Sequence, residues 1–98
     1  MEIVYKTRKI EKVCKDAYEA EKKYGFKIAV KIHQRIDEIS ASDTVEELIQ
    51  LHIGRCHMLK GDRKDQYAMD LAHPYRLIFE KIGCKIQIVK IIEIIDYH

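Results

Sequence analysis

Six residues in the C-terminal half of this chain have the chemistry to cut RNA without a metal: His57, Lys60, Arg76, Asp96, Tyr97 and His98. Such a cut uses the ribose 2′-hydroxyl as an internal nucleophile. It leaves a 2′,3′-cyclic phosphate and a free 5′-hydroxyl, and no cofactor is required. One group must take the hydroxyl proton, another must protonate the leaving oxygen, and cations must hold the phosphate. An unperturbed imidazole titrates near ~6.5 and suits either proton role at neutral pH. Arg76 can grip a phosphate through two parallel N–H groups, and Lys60 can act as a point charge. Asp96 and His98 share one face under a period of two, with Tyr97 pointing the other way. That pair could donate and accept protons, while Tyr97 stacks on a base or bonds the phosphate. A chain ending on Asp-Tyr-His is unusual, because termini commonly fray and carry no function.

Bland readings stand beside each of these. His57 is equally an exposed strand histidine. Lys60 is a turn lysine, Arg76 a strand arginine paired with Glu80 or Asp70, and the tail a polar strand end. Strict alternation also puts His57 and Lys60 on opposite faces, unless the strand gives way before Lys60. Arg55, Arg63 and Lys64 read as backbone contacts to RNA, with Asp62 shaping the turn between them. Tyr67 offers a stacking face. Tyr5, Tyr18, Tyr24 and Phe79 read as core, Met58 and Met69 as packing, and Cys56 as buried structure.

The elements that must position these groups follow from periodicity. Met1–Lys6 reads as a short strand. Thr7 caps a helix with Ile10, Val13, Cys14, Ala17 and Tyr18 on one stripe, ended by Gly25 in a left-handed conformation. A second helix over Phe26–Ile39 carries Ile28, Ala29, Ile32, Ile36 and Ile39, so the two form a hairpin. Thr44-Val45-Glu46-Glu47 has capping-box spacing and opens a short helix through Leu51. From Gly54 the pattern changes to strands over residues 54–60, 66–72, 75–82 and 85–95, with turns at Lys60–Asp65, Ala72–Pro74 and Ile82–Cys84. Successive strands with short turns pair as an antiparallel meander. The first strand adds to one edge, residues 85–95 lie centrally, and a bulge is expected at Lys90. Helices need an apolar face to cover and a small sheet needs a cover, which predicts a two-layer α+β domain.

The ordered stretches RCHMLKGDRKDQYAMDL, YRLIFEK and IIDYH resemble the HigB (plasmid maintenance killer) branch of the RelE/ParE toxin superfamily. KKYG and TVEELIQL match more loosely, so the resemblance runs over nearly the whole chain. It implies one toxin domain over residues 1–98, with a RelE-like fold in which a small antiparallel sheet is covered by an N-terminal helical hairpin and a short third helix. It implies the toxin of a type II toxin–antitoxin pair, a metal-independent, ribosome-dependent endoribonuclease that cuts mRNA in the A site. It places His57, Lys60, Arg76, Asp96, Tyr97 and His98 in the active site. The partners it implies are a HigA-like helix-turn-helix antitoxin and mRNA on the ribosome, with operator DNA met only through the antitoxin complex. Two departures stand out. Tyr75 occupies a position where many relatives carry Trp, and the Ile-rich run over 86–95 is longer than usual. The rival readings are a ParE-like toxin that binds gyrase and an inactive member that only binds its antitoxin as a corepressor.

Composition narrows the remaining classes. The 98 residues support one modest core, and 47% apolar with 35% charged residues is globular rather than disordered. A net charge of +2 is too small to argue nucleic-acid binding by itself. Locally, Arg55, Lys60, Arg63 and Lys64 outnumber Asp62, although a solvated hairpin tip explains that equally well. Three cysteines without paired spacing point to free thiols in a reducing cytoplasm. The histidines lack metal-ligand spacing, and neither a signal peptide nor an 18-residue apolar run is expected.

Overall fold

The computed structural model describes residues 1–63 and 65–97. Strand β1 (Glu2–Tyr5) leads into α1 (Arg8–Lys15), where the Thr7 hydroxyl accepts from the Ile10 amide at 3.2 Å as the expected cap. The predicted single helix to Gly25 is broken at Asp16, whose backbone leaves the helical region (φ −114°, ψ 111°). Its Oδ1 accepts from the amides of Tyr18 (2.9 Å) and Glu19 (3.4 Å), so a new helix, α2 (Ala17–Tyr24), starts there. A short acceptor side chain competes with the helical ladder, and here it wins. The break divides the predicted stripe. Ile10, Val13 and Cys14 are buried, while Tyr18, expected in the core, is 70% exposed.

Gly25, at φ +85°, turns the chain into α3 (Phe26–Ala41), which packs on α2 as a helical hairpin. Thr44 Oγ1 accepts from the Glu47 amide at 3.1 Å and opens α4 (Val45–Gln50). The buried Gln87 ties this helix to the sheet: its Oε1 accepts from the Val45 amide (2.8 Å) and its Nε2 donates to Glu46 (2.7 Å).

The remaining strands are β2 (His57–Met58), β3 (Gln66–Asp70), β4 (Tyr75–Ile82) and β5 (Ile88–Asp96). They pair in the order β1-β5-β4-β3-β2. The expected antiparallel meander is present from β2 to β5, and β1 adds to its edge in parallel with β5. The α+β class with a helical layer on a small sheet is therefore the observed one. Three details differ from expectation. The centre of the sheet is β4, with β5 between it and β1. The bulge falls at Ile92, because Ile78 pairs with Glu93 and Phe79 with Ile91, while Lys90 stays in register with Glu80. Strand β2 has only two residues, because a 3₁₀ turn at Ile53–Arg55 takes the start of the predicted strand.

Alternation along the strands decides which residues meet the helices. Tyr67, Met69, Leu77, Phe79, Val89 and Ile91 join Ile32, Ile39 and Leu48 in one buried cluster. Burying Phe79 alone contributes on the order of 2–3 kcal/mol. The opposite face carries His57, Ala68, Asp70, Arg76 and Ile78, in register across β2, β3 and β4. Among the described residues, no helix is long and apolar enough to cross a membrane.

Candidate functional site

Asp70 and Arg76 are directly paired across β3 and β4, so both side chains rise from the sheet face away from the helices. The Arg76 Nε lies 3.3 Å from Asp70 Oδ1. Arg55 reaches the same carboxylate from the 3₁₀ turn, with Nε at 2.7 Å from Oδ2 and Nη2 at 3.1 Å from Oδ1. The turn makes this approach by placing His52, Gly54 and Arg55 in the left-handed region, at φ 55°, 57° and 53°. Two of the three are not glycine, a strain that persists only where the surroundings hold it.

Tyr97, the residue after β5, closes the group. Its amide donates to the Pro74 carbonyl at 2.9 Å, and its ring centre lies 4.3 Å from the Arg76 guanidinium carbon. His57 pairs with Ala68, two residues along the same face from Asp70, and its Nδ1 lies 2.8 Å from the Arg55 carbonyl. Arg55, Asp70, Arg76 and Tyr97 line a cleft of about 120 Å³, whose wall continues along His73 and Pro74. Liquid water occupies ~30 Å³ per molecule, so the cleft holds a phosphate-sized group. It is well below the ~300 Å³ at which pockets for drug-sized ligands begin.

Electrostatics bind the group together. Burial alone would push the Asp70 carboxyl up, but the Arg55 hydrogen bond and charge, followed by Arg76 and His57, hold it below the usual carboxylate range. Arg55 is raised in return, by its hydrogen bond to Asp70. Asp70 is thus a fixed anion and a poor proton acceptor, and the two arginines are permanent cations. Burial pushes the Cys56 thiol up to about 12, in keeping with its reading as buried structure and not as a nucleophile. Among the described residues, no three of His, Cys, Asp and Glu gather to hold a metal ion.

The other candidates are placed elsewhere. Lys60 is exposed beyond the end of β2 and outside the cleft lining. The strand does give way before Lys60, with the Leu59 amide bonding the Gln66 carbonyl at 2.8 Å. Arg63 reaches across the open face to Glu93, and its Nε donates to Gln66 at 3.0 Å. Tyr67 is 6% exposed and stacked on Phe79, with ring centres 5.5 Å apart. This corrects its reading as a stacking face for a base: alternation sends it under the helices. Asp96 pairs with Tyr75 and is exposed on the face opposite Arg76, so the acid of the tail does not join the arginines. Lys64 and His98 lie outside the described residues.

Two residues of the cluster were not singled out in the sequence. Asp70 figured only as a surface partner for Arg76, yet it is the centre of the group. The signal was available: a turn over Ala72–Pro74 centred on His73 makes Asp70 and Arg76 cross-strand partners. Arg35, on α3, is 8% exposed and donates from Nε to the Asp70 main-chain carbonyl at 2.7 Å. Nothing in a helical stripe marks that long-range contact.

No family model and no curated protein matches the sequence. Solved structures do. The YoeB/ParE toxin from Agrobacterium tumefaciens superposes with a TM-score of 0.66 at 17% identity, over 100% of this chain and 99% of the other. The YoeB-YefM complex from Staphylococcus aureus gives 0.63 at 20% identity, over 100% and 97%. The YoeB dimer from the same organism gives the same values. The chain therefore has the fold of the YoeB/ParE toxin structures.

Proposed function

We propose that this protein is the toxin of a type II toxin–antitoxin pair and an endoribonuclease that cuts mRNA on the ribosome. The observation that carries the reading is the convergence of Arg55, Arg76 and Tyr97, with His57 beside them, on a phosphate-sized cleft in a YoeB-like fold. Arg76 holds the scissile phosphate and balances the charge that builds as the 2′-oxygen attacks, and Arg55 takes the adjacent phosphate. Tyr97 orients Arg76 by stacking on its guanidinium. His57 takes or gives the proton, and His98 is its counterpart in the second transfer. Lys60 contacts the RNA backbone from the rim. The HigB branch is the proposed subfamily.

One similar structure is a two-protein complex, YoeB-YefM. By the same analogy we assign this chain an antitoxin partner of the HigA-like helix-turn-helix kind, with operator DNA met only through that complex. The cytoplasm is the compartment that suits Cys14, Cys56 and Cys84, all of them free.

The test is direct. Purified protein is incubated with translating ribosomes and the transcript ends are mapped. The reading expects new 5′-hydroxyl ends in frame with the A site, lost in Arg76→Ala. Intact messages from an active preparation would retire it, and stalled gyrase in the same cells would favour a ParE-like mode of action.

A further inference from the structure

Arg55 turns its Nε–Nη2 edge to Asp70, and Arg76 turns its Nε to the same carboxylate. Arg55 makes the two-point contact with the Asp70 carboxylate that an arginine makes with two phosphate oxygens. The carboxylate is not a loose surface group. Its residue is held by the β-ladder to Arg76 and by the buried Arg35, whose Nε donates to the main-chain carbonyl. Arg55 differs: its side chain is 60% exposed, against 34% for Asp70 and 26% for Arg76. The partner with open space to turn into is the outer arginine.

We propose that Asp70 is a built-in phosphate surrogate that keeps the arginine pair occupied until an RNA backbone displaces it. This inference rests on reading the cleft as a phosphate site and adds its regulation. In the free protein one carboxylate offsets one of two guanidinium charges, so the cleft presents a single net cation. A lone small anion has to compete with a carboxylate already in place and gains little. An RNA backbone brings adjacent phosphates. Arg55 swings outward to one of them, Arg76 stays under Tyr97 and takes its neighbour, and Asp70 is left behind. Asp70 therefore sets a threshold: it selects polyanions and keeps the free protein from collecting phosphate ligands indiscriminately.

Replacing the carboxylate by an amide removes the competing charge and leaves the main-chain bond to Arg35 untouched. The experiment measures binding of a fluorescein-labelled 2′-O-methyl RNA dodecamer, which cannot be cut, to the parent and to Asp70→Asn at several salt concentrations. A hydrogen-bonded charge pair given up on binding is worth about tenfold in affinity, so Asp70→Asn should bind about tenfold more tightly. Both proteins place two arginines on phosphates in the complex, so the slopes of log affinity against log salt should agree. A slope steeper in Asp70→Asn by about 0.7, the single-strand value of one more neutralised phosphate, would mean that the parent's pair never opens and would overturn the proposal. Equal or weaker binding by a folded Asp70→Asn protein overturns the proposal. A second measurement needs no variant. In the unaltered protein, saturation with the same RNA should move the Nε resonance of Arg55 and the carboxylate resonance of Asp70. If both stay unmoved while the RNA binds, the pair does not open and the proposal fails. Cleavage enters neither measurement, so a protein that unlocks on RNA yet leaves messages intact retires only the nuclease reading.

Discussion

Arg35 donates its Nε–H to the main-chain carbonyl of Asp70 at 2.7 Å, and the same nitrogen lies 2.6 Å from where a Cβ on Gly54 would stand. One buried cation from α3 thus holds the strand bearing Asp70 and the turn bearing Arg55 at fixed separation. Its Nη1 bonds Glu38 at 2.7 Å, which compensates its charge. Arg35→Met should leave the Asp70 carbonyl and Glu38 without this donor and destabilise the fold by about 2–3 kcal/mol. Gly54→Ala combines a positive φ with that contact and should cost about 1–3 kcal/mol. Urea unfolding reads both; an unchanged midpoint in either would mean the clamp is dispensable.

Arg76 and Tyr97 separate contact from support. On the proposed reading Arg76→Ala removes a phosphate donor, and RNA cleavage on the ribosome should fall about 10²–10³-fold. Tyr97→Phe keeps the ring over the guanidinium, whereas Tyr97→Leu removes it. If stacking is what orients Arg76, Leu should weaken RNA binding about two- to fivefold, the value of an exposed cation–π contact, and Phe should not. Equal losses in Phe and Leu would instead assign the effect to the hydroxyl.

The pairing of Asp70 has a pH signature. Its folded pKa lies below the usual value, so its contribution to stability is fully present above the unfolded pKa of about 4. It is lost as pH falls through the still lower folded value. Between about pH 5 and 7 this group predicts no change. The acid limb of a thermal-stability profile should shift in Asp70→Asn, which has no proton to take up. Superimposable acid limbs for parent and variant would show that the group is not coupled to folding.

Thiol chemistry tests the burial of two cysteines. Burial pushes the Cys14 and Cys56 thiols up to about 12, and Cys84 is exposed. Iodoacetamide at pH 8 should label Cys84 quickly and reach Cys14 and Cys56 only after unfolding, as read by mass spectrometry. Rapid labelling of Cys56 in the folded state would mean the wall behind the Arg55 turn opens.

The local rules of the chain were readable without coordinates. Thr7 and Thr44 mark helix starts because their hydroxyls satisfy amides three residues on. The period-two runs after Gly54 mark a meander, because short turns leave successive strands no other neighbour. Arg76 stood out because a cation in an apolar strand must face away from the core. Local chemistry also produced misreadings. The apolar stripe predicts one helix running through Asp16 to Gly25, although the Asp16 side chain ends one helix and starts the next. An aromatic ring beside the basic tip reads as a stacking face, although the phase of Tyr67 along β3 buries it against Phe79.

The tertiary structure alone decided the composition of the cleft. Arg55, Asp70, Arg76 and Tyr97 come from a turn, two strands and the residue after β5, with Arg35 of α3 behind them, and beyond the Asp70–Arg76 pair no periodicity relates them. Alternation specifies the face a side chain takes within its own strand; which face covers the core, and which strands lie side by side, are settled by where the helices bury their stripe. Packing α3 on one face of the sheet left the other to Asp70 and Arg76, and carried Arg35 to the edge where it holds them.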